Sequence, residues 1–148
     1  MGGDNGIDPI IGGIKLSLKS NSRLRFLIHG DKKQLKERIK DYPSLLSTCS
    51  LVQCDTVVAM DEKPSSALRS GKKSSMWSSV NSLAKGDASI ALSCGNTGAL
   101  MAMSMMQLRK VPGVNRPAIA ILWPSRNPRG FNIVLDASAD VRADCDDL

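Results

Sequence analysis

Short apolar runs that stop at a glycine or polar turn and give way to a helical stretch recur along this chain, and that alternation narrows its fold more than any other feature. Arg23 to His29 is a β-prone run closed by Gly30, with Asp31 placed to cap the amphipathic stretch Lys32 to Lys40. Leu51-Val52 and Val57 to Met60 precede a helical stretch from Ser75 to Lys85, and Ala88 to Leu92 precedes a helix from Thr97 to Lys110. A helix near Pro9 to Leu18 comes first, and Ala118 to Trp123 and Ile133 to Leu135 are two late apolar runs. Strands alternating with helices predict an α/β fold: a mainly parallel sheet with helices on both faces, its ligands gathered at the carboxyl ends of the strands. The 148 residues, 42% hydrophobic, suit a single α/β domain with a sizeable core. Gly71 and its Lys and Ser neighbours read as the most exposed internal loop.

Composition excludes several functions. Aromatic residues make up 3% of the chain, too few for the stacking platforms of single-strand nucleic-acid binders, and no basic helix carries a base-reading pattern. Nucleic acid is therefore not an expected partner. The net charge of +6 is scattered, as on a solvated surface; an acidic protein or lipid surface comes next in order. Cys49, Cys54, Cys94 and Cys145 form no C-x-x-C pair and have no histidine at metal-ligand spacing, so no metal site and no cofactor is expected. Free thiols, with no charged leader or membrane-length apolar run, suggest a cytoplasmic protein, with peripheral membrane association as a variant.

Gly95-Asn96-Thr97-Gly98-Ala99-Leu100-Met101-Ala102 carries the most chemistry. Read as a strand running into a helix, it leaves the first helical amides outward and unpaired, where the dipole adds partial positive charge: an anion site, most often for phosphate. A second polar cluster runs from Ala59 through Asp61, Lys63, Ser65 and Arg69 to Lys72, Lys73, Ser74, Ser75 and Met76. Together they imply a substrate with phosphate and a polar reacting centre.

The chain resembles the bacterial phosphate acyltransferases of phospholipid synthesis. The resemblance rests on Met1-Gly2-Gly3-Asp4, His29-Gly30-Asp31, Ala59-Met60-Asp61 with Lys63-Pro64, and Ala67-Leu68-Arg69. It continues through Lys73-Ser74-Ser75-Met76, Gly95 to Ala102, Arg116-Pro117-Ala118 and Leu135-Asp136. It implies a fold like that of isocitrate and isopropylmalate dehydrogenases, a homodimer, and acyl transfer from acyl-acyl carrier protein to inorganic phosphate. It further implies a strand before Met1 and a continuation after Leu148, so the chain reads as an incomplete, N-terminal portion of the family fold. The turn after Asp136 departs from the family's Gly-Ala-Asn, having Ala137-Ser138-Ala139-Asp140 instead.

In that reaction a phosphate oxygen attacks a thioester carbonyl and expels a thiolate, which needs positioning and oxyanion stabilisation more than a strong acid. Asn96, Lys63 and Arg69 are the candidate catalytic groups; Asp4, Asp61, Lys73, Ser74, Ser75, Thr97, Gly98 and Asp136 are the candidate substrate-binding groups. Each has a plainer reading. Asn96 with Gly98 would make a helix cap and a packing site, Lys63 and Arg69 surface charges, Asp61 and Asp4 local caps, and the serines the cap of the next helix. His29 reads as structural, and Cys94 as a small buried residue. The alternative from another class is a non-catalytic remnant or interaction module that keeps the motifs of the fold.

Overall fold

The computed structural model describes residues 2–108, 111–113 and 118–135. Their contacts divide the chain into two compact units, residues 1–107 and 108–148.

In the first unit, Asp8–Ser20 form helix α1, opened by Pro9 near its first position, with Ile11 and Ile14 buried. Strand β1, Phe26–Gly30, becomes more buried toward its carboxyl end. Helix α2, Lys32–Ile39, starts at Asp31, whose carboxylate accepts the Gln34 amide at 2.8 Å. Pro43–Thr48 form a short helix, α3, that leads directly into strand β2, Cys49–Gln53. β1 and β2 are parallel, in register from Phe26 opposite Cys49 to Gly30 opposite Gln53. Ile11, Ile14, Ile28, Leu35, Ile39 and Leu45 make one core cluster around this pair.

The second half of the unit is helical. Pro64–Ser70 form α4, a 3-10 turn follows at Gly71–Lys73, and Ser75–Lys85 form α5. Ser74 caps α5 by accepting the Trp77 amide at 3.2 Å, and Gly86 ends it in the left-handed conformation, φ 82°, which only glycine adopts without cost. Thr97–Gln107 form α6. Val58, Ala67, Met76, Ala99 and Met103 are the core of this half. Helix α5 also packs on β1, joining the two clusters to one sheet edge.

In the second unit, β3 (Ala120–Pro124) and β4 (Phe131–Leu135) form an antiparallel ribbon, with Ala120 opposite Leu135 and Pro124 opposite Phe131. Its turn is held by Asn127, whose side-chain amide donates to the Phe131 carbonyl at 2.7 Å.

The α/β class is borne out, but the sheet is smaller than the sequence suggests: one parallel and one antiparallel pair among the described residues. Ala88 to Leu92, expected as a strand, has no ladder partner there, and Ile90 and Leu92 are exposed. A β-prone run without a partner to take its amides and carbonyls does not make a strand. Val57 to Met60 is likewise irregular, although Thr56 just before it bridges to Ser74. The expected exposed loop is exposed only in part, at Ser70, Lys72 and Lys73. Gly71, Ser74 and Ser75 are buried, and the Ser75 amide donates to the Thr56 carbonyl at 3.0 Å.

Candidate functional site

Asn96 stands just ahead of α6 and is 8% exposed. Its Oδ1 accepts the Ala99 amide at 2.9 Å, an N-cap bond. Its Nδ2 donates toward three carbonyls at once: Ala59 at 3.2 Å, Met60 at 3.0 Å and Glu62 at 2.7 Å. The Ala99 amide requires an oxygen opposite it, so the orientation of the carboxamide is fixed by its own contacts.

The next two amides have no such occupation. Among the described residues no hydrogen bond engages the backbone N–H of Thr97 or Gly98, whereas Ala99 is taken by the Asn96 side chain and Leu100 by the Asn96 carbonyl. Thr97 is exposed and Gly98 half-buried. Two free donors at the start of an 11-residue helix can hold an anion.

Helix α4 lies along α6 with its first residue at the same end. A β-carbon on residue 98 would come within 2.8 Å of Pro64 Cγ, and one on Gly71 within 2.7 Å of Met103 Cε. Lys63, the residue before Pro64, is therefore carried to the α6 N-terminus, together with Asp61 in the clamped turn. Both side chains are exposed, and neither joins an ion pair among the described residues. Arg69 is exposed too, but six residues further along α4 it lies about 9 Å down the axis, toward the Met103 end.

The sequence-derived site thus divides. Asn96, Thr97, Gly98, Asp61 and Lys63 come together, while Arg69 and Lys73 fall at the other end of α4. Ser74 is 1% exposed and Ser75 6% exposed; Ser74 spends its hydroxyl on capping α5, and neither serine faces solvent. Asp4 is exposed and lines a cavity of about 260 Å³ with Gly3, Asn5, Gly6, Pro9, Ile10 and Cys94. Cys94, expected to be buried, is exposed there. Asp136 lies outside the described residues. A larger hollow of about 680 Å³ between α1 and α2 is lined by both signs of charge, including the Asp8–Arg38 ion pair, and by none of the expected site residues.

Sequence reasoning missed the three carbonyls that Asn96 holds and the contact of Pro64 with Gly98. Pro64 itself was the available signal, because proline is favoured at the first position of a helix and Lys63-Pro64 therefore marks a helix start. His29 is buried at the end of β1, its Nδ1 hydrogen bonded to the Ser78 hydroxyl on α5 at 2.9 Å; burial lowers its pKa from the ordinary 6.5. Among the described residues no cluster of His, Cys, Asp and Glu could hold a metal, and no helix is long and apolar enough to cross a membrane.

Over its whole length the chain is 54% identical to the phosphate acyltransferase of Jannaschia sp. (strain CCS1), 52% to that of Paracoccus denitrificans (strain Pd 1222) and 51% to that of Cereibacter sphaeroides (strain ATCC 17025 / ATH 2.4.3). It spans 40% of the length of each of these relatives. Residues 1–148 match the family described as fatty acid synthesis protein, and to that family the chain belongs.

Proposed function

We propose that this chain carries the phosphate-holding part of an acyltransferase that makes acyl phosphate from acyl-acyl carrier protein and inorganic phosphate. The observation that carries the reading is the pair of Thr97 and Gly98 amides that no hydrogen bond engages among the described residues, at the end of α6 where Pro64, the residue after Lys63, packs on Gly98. The relatives named phosphate acyltransferase support it.

Phosphate at this position accepts from the two amides and is paired by one mobile lysine. That binding orients an oxygen for attack while leaving it less quenched than a cage of fixed cations would. The attacking oxygen forms a bond to the thioester carbonyl carbon, the carbonyl oxygen gathers negative charge, and the C–S bond then breaks to release the carrier's thiolate. Asp61, in the turn before Lys63, is assigned to substrate binding. Asp4 is a substrate-binding group, and Arg69 and Lys73 meet the phosphate-bearing arm of the carrier further out. The fold class that goes with this reading is that of isocitrate and isopropylmalate dehydrogenases, and the working assembly is a cytoplasmic homodimer, associated peripherally with the membrane.

Titration of the chain with inorganic phosphate, followed by amide chemical shifts, tests the reading. The largest changes are expected at Thr97 and Gly98, with Lys63 responding. Silence at all three while other residues shift would move the assignment to the non-catalytic alternative. That alternative draws its support from Asn96 and Ser74, whose side chains serve the architecture.

A further inference from the structure

We infer that Asn96 is a positioning residue, a clamp that holds the 59–62 turn on the start of α6 and so keeps Lys63 in register with the free amides of Thr97 and Gly98. The inference deepens the phosphate reading above and rests on it. Four contacts converge on one buried carboxamide: one acceptor bond to the Ala99 amide, and donation toward the carbonyls of Ala59, Met60 and Glu62. The two N–H groups of the amide are thereby shared among three acceptors, which leaves none for a developing oxyanion. The side chain expected from the sequence to be a catalytic group is thus fully engaged in joining two segments 34 to 37 residues apart.

No other side chain of similar size does both tasks. Aspartate caps a helix but has no donor, and its charge would face the negative ends of three carbonyl dipoles. Serine caps too, but it is too short to reach all three carbonyls. Lys63 follows the clamped Glu62 by one bond, and Pro64 then packs on Gly98, so the turn has one anchor on either side of the lysine. Loss of the first anchor frees the segment that carries the cation while leaving the α6 amides in place.

The test uses the full chain as wild type, Asn96→Ser, Lys63→Ala and the double variant, with two readouts. Amide hydrogen exchange is expected to quicken at residues 60–63 in Asn96→Ser while α6 keeps its protection. Asn96→Asp, which keeps both cap and size, is expected to show the same exchange pattern, and it serves if the serine variant does not fold. Inorganic phosphate affinity is expected to fall about fivefold in Lys63→Ala, the share of one exposed cation about 4 Å from a charge. It should fall by a similar factor in Asn96→Ser and no further in the double variant, because both changes remove the same contact. An unloosened turn in both Asn96 variants overturns the clamp. Losses that multiply, to about twenty-five-fold in the double variant, overturn the link to Lys63. A loosened turn in a chain that binds no phosphate overturns the phosphate reading, and with it the positioning role, while the clamp stands.

Discussion

Pro64 rests on the bare Cα of Gly98, so closely that a β-carbon there would stand 2.8 Å from the ring Cγ. A proline ring cannot swing away as a long side chain does, because it is closed onto its own backbone. Gly98→Ala should therefore destabilise the chain by about 1–2 kcal/mol, the overpacking cost less what alanine returns in helix propensity. Pro64→Ala should relieve the clash, so that the double variant loses less than the two single changes together. Denaturant midpoints with unchanged slopes are the measurement. Strict additivity would show that the contact is not the reason for glycine at this position.

Helix α3 spans six residues, Pro43–Thr48, far below the length at which an isolated helix holds together. Leu45, fully buried in the cluster around β1 and β2, is what holds it, whereas its neighbour Leu46 is 54% exposed. Leu45→Ala is expected to cost about 2–5 kcal/mol. Leu46→Ala should change stability by about half a kcal/mol or less. Equal effects in urea unfolding would mean that α3 is not anchored by that side chain.

The contrast between those leucines shows what the sequence disclosed and what it withheld. Helices with caps and a clear apolar face were legible: Asp31 announced α2, and Ser74 the start of α5. α3 and α4 were not, because six or seven residues offer too little periodicity and only the leading prolines, Pro43 and Pro64, marked them. Ala88 to Leu92 had strand-like composition, yet a strand exists only through a partner, which a local pattern does not contain. The same limit applies to the site. Thr97 and Gly98 were legible as a helix start, but the hold of Asn96 on residues 59–62 is a long-range fact, and the separation of Arg69 from Lys63 was missed together with the short helix α4 that sets it.

His29 is the only histidine of the chain, so its ring can be followed without ambiguity. Burial favours its neutral form, placing the folded-state pKa below the 6.5 of the unfolded chain. The sign follows. Above pH 6.5 both states carry a neutral ring and nothing changes; as pH falls below 6.5 the unfolded chain takes up the proton first, and stability is lost until the folded ring titrates as well. His29→Gln should flatten this part of the stability profile between about pH 5 and 6.5, ahead of most carboxylate titration. A wild-type profile that is flat or rises toward acid across that window contradicts the assignment of a buried neutral imidazole.

Lys63 and Arg69 are the two cations that spacing alone treats alike, and α4 sets them about 9 Å apart along its axis. A lysine that reaches about 4 Å from a phosphate charge in water contributes about 1 kcal/mol, whereas an arginine about 10 Å away, screened at physiological salt, contributes about 0.1 kcal/mol. Lys63→Ala is therefore expected to weaken phosphate binding about fivefold and Arg69→Ala by less than about 1.5-fold. Both side chains are exposed, so neither change should alter the melting temperature appreciably. Raising the salt concentration should shrink the Lys63 effect, as expected for a solvent-facing charge. If Arg69→Ala weakens phosphate binding as much as Lys63→Ala at equal stability, the anion does not sit at the start of α6, and the site has to be sought nearer the Met103 end of α4.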